Sequence, residues 1–131
     1  MEAETTPTPP AVAGNLVLVA GELATEPEFR VLPGGTELLS FSLTVRQPGE
    51  ATTSVPLTWF DPPRRTRRWK VGAQVVAVGR VVRRFYKAGA ITGSRTDVVV
   101  HQAEAATRKA RARVVLGRVG LAVDELVARL E

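Results

Sequence analysis

The sequence predicts an all-β domain: a small closed barrel of five strands, with a short helix between the third and fourth and a helical extension at the C-terminus. Three observations carry this. From Asn15 to His101 the chain is rich in Val, Leu, Phe and Thr, in short runs bounded by Pro, Gly and Ser clusters. Within Glu37 to Arg46, Leu39, Phe41, Leu43 and Val45 alternate with Leu38, Ser40, Ser42 and Thr44, the period of a strand with one buried face. From Glu104 onward apolar residues instead recur every three to four positions. With 131 residues there is little room for a second core. The expected division is a flexible arm over 1–13, the barrel over 14–103 and the helical extension over 104–131.

Taken in order, Thr5 to Pro10 is a Pro/Thr tract that can neither pair as a strand nor continue a helix. Asn15 to Leu32 reads as a first strand, bent at Glu26-Pro27, with a short continuation through Phe29 and Val31. Pro33-Gly34-Gly35 turns the chain into the second strand, Glu37 to Arg46. Ser54 to Phe60 is the third strand, in which Pro56 points to an edge or a locally broken pairing, because proline cannot donate to a ladder. Asp61-Pro62 reads as a helix N-cap and first position, opening a short helix that stops at Gly72. Ala73 to Tyr86 is the fourth strand, with a bulge or coil expected at Gly79. Lys87 to Ser94 reads as a loop, Arg95 to His101 as the last strand, and the rest as two helical pieces divided at Gly117 and Gly120. The apolar set Leu121, Val123, Leu126, Val127 and Leu130 is expected to pack on the barrel or on a sister subunit.

Charge is segregated along the chain. Residues 1–50 hold seven acids against Arg30 and Arg46, whereas residues 64–118 hold twelve Arg and three Lys against Asp97 and Glu104. A stretch of net +13 inside a chain of net +5 concentrates polyanions, so nucleic acid is the leading partner. Arginine outnumbers lysine fifteen to three, which suits stacking and forked phosphate contacts and equally suits a GC-rich genome. Cysteine is absent, which excludes disulfides, Cys-ligated zinc and a thiol nucleophile. No apolar run is long enough to cross a bilayer and the first residues lack the features of a secretory signal, so a soluble intracellular protein is expected. His101 is the sole histidine and reads as a strand-end residue; Asp61, Asp97 and Asp124 are scattered, and no phosphate-cradling glycine motif occurs. Neither an enzyme nor a metal or other cofactor is expected.

The segments NLVLVAGELATEPEFR, PGG followed by LLSFSLTVR, KVGAQVVAVGRVVRRFY and RTDVVV, in this order and spacing, resemble bacterial single-stranded DNA-binding proteins of the OB-fold class over about Asn15 to Ala103. The resemblance implies an OB-fold, assembly into tetramers or dimers, a hairpin after the fourth strand that grips DNA, and a role in DNA replication, repair or recombination in the cytoplasm, at the nucleoid. It also implies stacking roles for Tyr86 and Phe60, while the remaining stacking positions of the family fall on Ser54 and on Gln47 to Gly49, which are not aromatic. The long linker and acidic tip that the family carries are replaced by the helical extension, so the chain resembles a short form.

Even spacing puts Arg80, Arg84 and Tyr86 on one face of the fourth strand, with Val75, Ala77, Val81 and Phe85 toward the core and Arg83 breaking the pattern. A cationic track with interleaved aromatic faces binds single strands without reading sequence. The candidate nucleic-acid-binding residues are Arg46, Phe60, Arg64, Arg65, Arg67, Arg68, Arg80, Arg84, Tyr86, Lys87 and Arg95. Several positions carry two readings: Phe60 stacks or plugs the barrel end, Trp59 and Trp69 stack or fill the core, and the Arg64 to Arg68 cluster tracks DNA or is a solvated face. The run from Arg108 to Arg118 could extend the DNA path. Single-stranded DNA is the expected partner; the alternative is a protein-interaction or oligomer-forming module that works through the C-terminal helices.

Overall fold

The computed structural model describes residues 12–131, so the expected arm over 1–13 lies outside it apart from Val12 and Ala13. Six strands are present: β1 (Val17–Leu23), β2 (Glu28–Val31), β3 (Glu37–Val45), β4 (Thr53–Phe60), β5 (Gln74–Ala88) and β6 (Ile91–Ala105). One helix, α1 (Lys109–Leu130), follows them. β1, β5, β6, β4 and β3 join as a closed ring. β1 runs along β5 from Val17 opposite Gly79 to Glu22 opposite Gln74, and its end turns onto β3, with Glu22 opposite Thr44 and Leu23 opposite Leu43. β2 lies outside the ring, as an added strand on β3. The segment expected as one bent strand is therefore two, because the chain around Glu26-Pro27 leaves β5 and returns on the far side of β3.

The ring closes where proline is tolerated. β4 pairs with β3 throughout, and with β6 only through Leu57 opposite Val98 and Thr58 opposite Val99, in parallel. Pro56 sits just before that short contact, where no second ladder asks for its missing N–H. Inside the ring, the alternating Leu39, Phe41 and Leu43 meet Leu57, Trp59, Val75, Ala77, Val98 and Val100. Trp69 closes one end, edge-on to Phe41 with ring centroids 5.5 Å apart and 6.2 Å from Trp59. Both tryptophans are core residues, with no face left to stack a base.

The short helix is a single 3-10 turn, Arg64–Arg68, capped by Pro63 without a side-chain bond. Asp61 is not its N-cap. With φ of 52°, Asp61 instead donates its N–H to the Glu37 carbonyl (2.8 Å) and accepts from the Glu37 N–H at Oδ1 (3.2 Å), fastening the ends of β3 and β4. The turn is anchored by Arg65, which pairs with the buried Glu104 near the end of β6.

A register shift occurs at Gly79 as expected, and its extra residue is His101: Val78 faces Gln102 while Gly79 faces Val100. Glycine is required there, since a Cβ on Gly79 would lie 2.1 Å from the Val99 carbonyl oxygen. His101 is thus a bulge residue inside β6, which continues to Ala105, and the sheet includes Glu104 and Ala105 that helical spacing had claimed. Lys87 to Ser94 is ordered as strand: β5 and β6 extend as a two-stranded arm to a tight turn at Gly89-Ala90, with Gly89 at φ 65°. Val81 and Phe85, expected in the core, are 41% and 71% exposed. Their alternation was read correctly, but β1 begins opposite Gly79, so beyond that point no ring lies behind the strand.

Helix α1 is one piece. Gly117 and Gly120 each cost about 1 kcal/mol against alanine, too little to break a 22-residue helix held to β5 and β6. It docks by Ala112 and Val115, both buried, and then by the half-buried Val119, Ala122 and Leu126. Of the five residues expected to dock, only Leu126 does so, against Gly14; Leu121, Val123, Val127 and Leu130 are exposed.

Candidate nucleic-acid interface

The outward face of β4, β5 and β6 gathers Phe60, Arg80, Arg84, Tyr86 and Arg95. Each arrives by strand alternation: Trp59 points into the core and Phe60 therefore out, and on β5 the even-numbered residues beyond Gly79 lie opposite the inward set. The antiparallel register then sets Arg84 directly across from Arg95 and Tyr86 across from Gly93. Like charges in cross-strand register repel. Among the described residues no acid forms an ion pair with either arginine, so the pair presents uncompensated donors to an anion.

Aromatic faces flank this pair. The Arg84 guanidinium lies 5.9 Å from the centre of the Phe60 ring, which is 38% exposed and does not plug the ring's end. On the other side, the Tyr86 ring lies flat over Gly93: a Cβ at Gly93 would come within 2.5 Å of it. The glycine lets Tyr86 lie against the strand while its other side stays open, 53% of the residue being exposed. Below Arg95 the same row reaches Asp97, buried, whose Oδ2 accepts from the Thr58 hydroxyl at 3.0 Å and whose Oδ1 has no partner. Beside it, Ser40, Ser42, Thr58 and Arg95 line a cleft of about 230 Å³ whose opposite wall carries Glu26 and Glu28.

The other candidates do not join this group. Arg46 stands at the far end of β3, 3.7 Å from Glu22. Within the 3-10 turn, Arg65 is taken by Glu104, and Arg67 donates to Glu37 (2.6 Å) while its guanidinium lies 4.5 Å above the Phe29 ring; Arg64 and Arg68 are exposed. Lys87 is on the reverse of the arm, opposite Thr92. The basic start of α1 lies beside Gln74, whose carbonyl accepts the Ala106 N–H, ten residues and about 33 Å of strand from Arg84. The start of the run is therefore remote from Arg84, whereas its last member, Arg118, lies beside Val78 and His101, on the β5 face that carries Arg80 two residues further on.

One residue escaped the sequence reading. Phe85 stands exposed on the reverse of the arm, with the Arg83 guanidinium 5.3 Å from its ring centre and the same guanidinium donating to Ser94 Oγ at 3.2 Å. A second aromatic-cation pair thus backs the first. The signal was present in the sequence as Arg83, which broke the supposed inward pattern of Val81 and Phe85.

No protein-family model matches the chain, and no curated protein matches it. Among solved structures, it is similar to the Plasmodium falciparum SSB in complex with ssDNA, with a TM-score of 0.60 and 18% identity, over 70% of this chain and 92% of that one. The likeness shows a shared fold, and the five-strand ring with its long β5–β6 arm is consistent with the expected OB-fold.

Proposed function

We propose that this chain binds single-stranded DNA with little sequence preference, across the outward face of β4, β5 and β6. The observation that carries the reading is the Arg84–Arg95 pair, unneutralised and bracketed by the exposed rings of Phe60 and Tyr86. Arginines spaced along the strand neutralise phosphates, and rings on either side give bases a surface on which to stack. The similar Plasmodium falciparum protein, solved with ssDNA, supports the same reading. A role in DNA replication, repair or recombination, at the nucleoid, goes with it.

The test is a titration of labelled single strands of mixed and homopolymeric sequence, with duplex of the same length as competitor, on the native chain and on Phe60→Ala/Tyr86→Ala. Tight, sequence-tolerant binding of single strands that the double variant weakens supports the reading. Equal affinity for duplex sinks it. A second reading, a self-associating or protein-binding module, draws on the exposed apolar residues of α1, and it is compatible with the first because the two surfaces are separate.

A further inference from the structure

We propose that the outer face of α1 is a self-association surface, on which α1 of a second copy packs antiparallel. The helix has two apolar stripes. One, through Ala112, Val115, Val119, Ala122 and Leu126, docks on β5 and β6. The other is rotated from it by about 100°, one residue's step in a helix. It runs through Leu116, Gly120, Val123, Val127 and Leu130, spaced four, three, four and three, the alternation that forms a two-helix seam. Its four side chains are 42%, 48%, 48% and 67% exposed, a row that a solitary protomer would leave in water.

Two features choose a second copy of this helix as the occupant. The first is charge. Lys109, Arg111, Arg113 and Arg118 crowd the first half of α1 with no acid among them, whereas Asp124, Glu125 and Glu131 lie beyond it against Arg129 alone. Basic residues in a first turn oppose the helix's own dipole. An antiparallel partner brings its acidic half, and its negative dipole end, to those cations; a parallel partner would set like against like. Only one register matches all six seam positions: Arg113 on Leu130, Leu116 on Val127 and Gly120 on Val123, with Glu131 falling between Lys109 and Arg113 of the second copy. The second feature is Gly120 itself. A Cβ there meets nothing within 4 Å, so its own protomer has no need of glycine, and the gap lies next to the centre of this register, where two helices approach most closely.

Sedimentation equilibrium on the full chain is the test. Val123→Glu/Val127→Glu is expected to halve the native mass, while Leu121→Glu, one face away, leaves it unchanged. An unchanged mass for the double variant overturns the proposal. Because the native chain has no cysteine, direction is read by oxidative cross-linking: Leu116→Cys/Val127→Cys forms covalent dimers, and neither single substitution does. Failure of the pair to cross-link, or dimers from Leu116→Cys alone, overturns the antiparallel seam even should the glutamate variant fold poorly.

Discussion

At Arg84 and Tyr86 charge and stacking are carried by separate side chains. Tyr86→Ala removes a stacking face and no charge, so it should weaken single-strand binding by about 1–3 kcal/mol while leaving the salt dependence in place. Arg84→Ala should lower the slope of log K on log salt by about 0.7, one phosphate's worth on a single strand. Fluorescence titrations of both variants over a salt series check this, and interchanged effects would show the roles to be misassigned. Gly93→Ala should act like a mild Tyr86 variant, because the added methyl group has to displace the ring. A different cost belongs to Glu104, buried with one carboxylate oxygen unpartnered and the other on Arg65. Arg65→Ala strands that charge and should destabilise the fold by about 3–5 kcal/mol, measured by denaturant unfolding, which marks Arg65 as structural. Its sequence neighbours had made it look like one more surface cation; only the fold reveals the acid that it meets.

Among the elements, legibility followed what lies behind each strand. The alternation in β3 was plain because both it and its neighbours face one core, so Leu39, Phe41 and Leu43 were read correctly. The same rule failed at Val81 and Phe85, where periodicity still holds but the arm has left the ring, and a pattern of alternation cannot say where the core ends. The bulge at Gly79 was legible from the glycine; that it shifts β6 by one residue at His101 was not, since register depends on the partner strand. In α1 the helical spacing was sound and the choice of face was not, because several apolar stripes coexist on it. Val115→Ala should therefore cost about 2 kcal/mol of stability by removing fully buried methyl groups, whereas Leu121→Ala should be nearly neutral in the same unfolding experiment.

For the molecule as a whole, the segregated charge resolves into separate uses. Part of the basic stretch is paired with acids, Arg65 with the buried Glu104 and Arg67 with Glu37 at the surface; part lies along α1; Arg83 and Lys87 stand on the reverse of the arm; and Arg80, Arg84 and Arg95 form the outward face. Net charge alone could not distinguish these, and the candidate list drawn from it was correspondingly broad. If the outward face is where a single strand lies, three arginines should account for about two units of the salt slope. The decisive measurement is the affinity for a labelled single strand between about 50 and 200 mM salt, compared for the native chain and Arg80→Ala/Arg84→Ala/Arg95→Ala. A steep native slope is expected, falling by about two in the triple variant with the melting temperature preserved. A native slope near zero, or a triple variant that binds with the native slope, would contradict it.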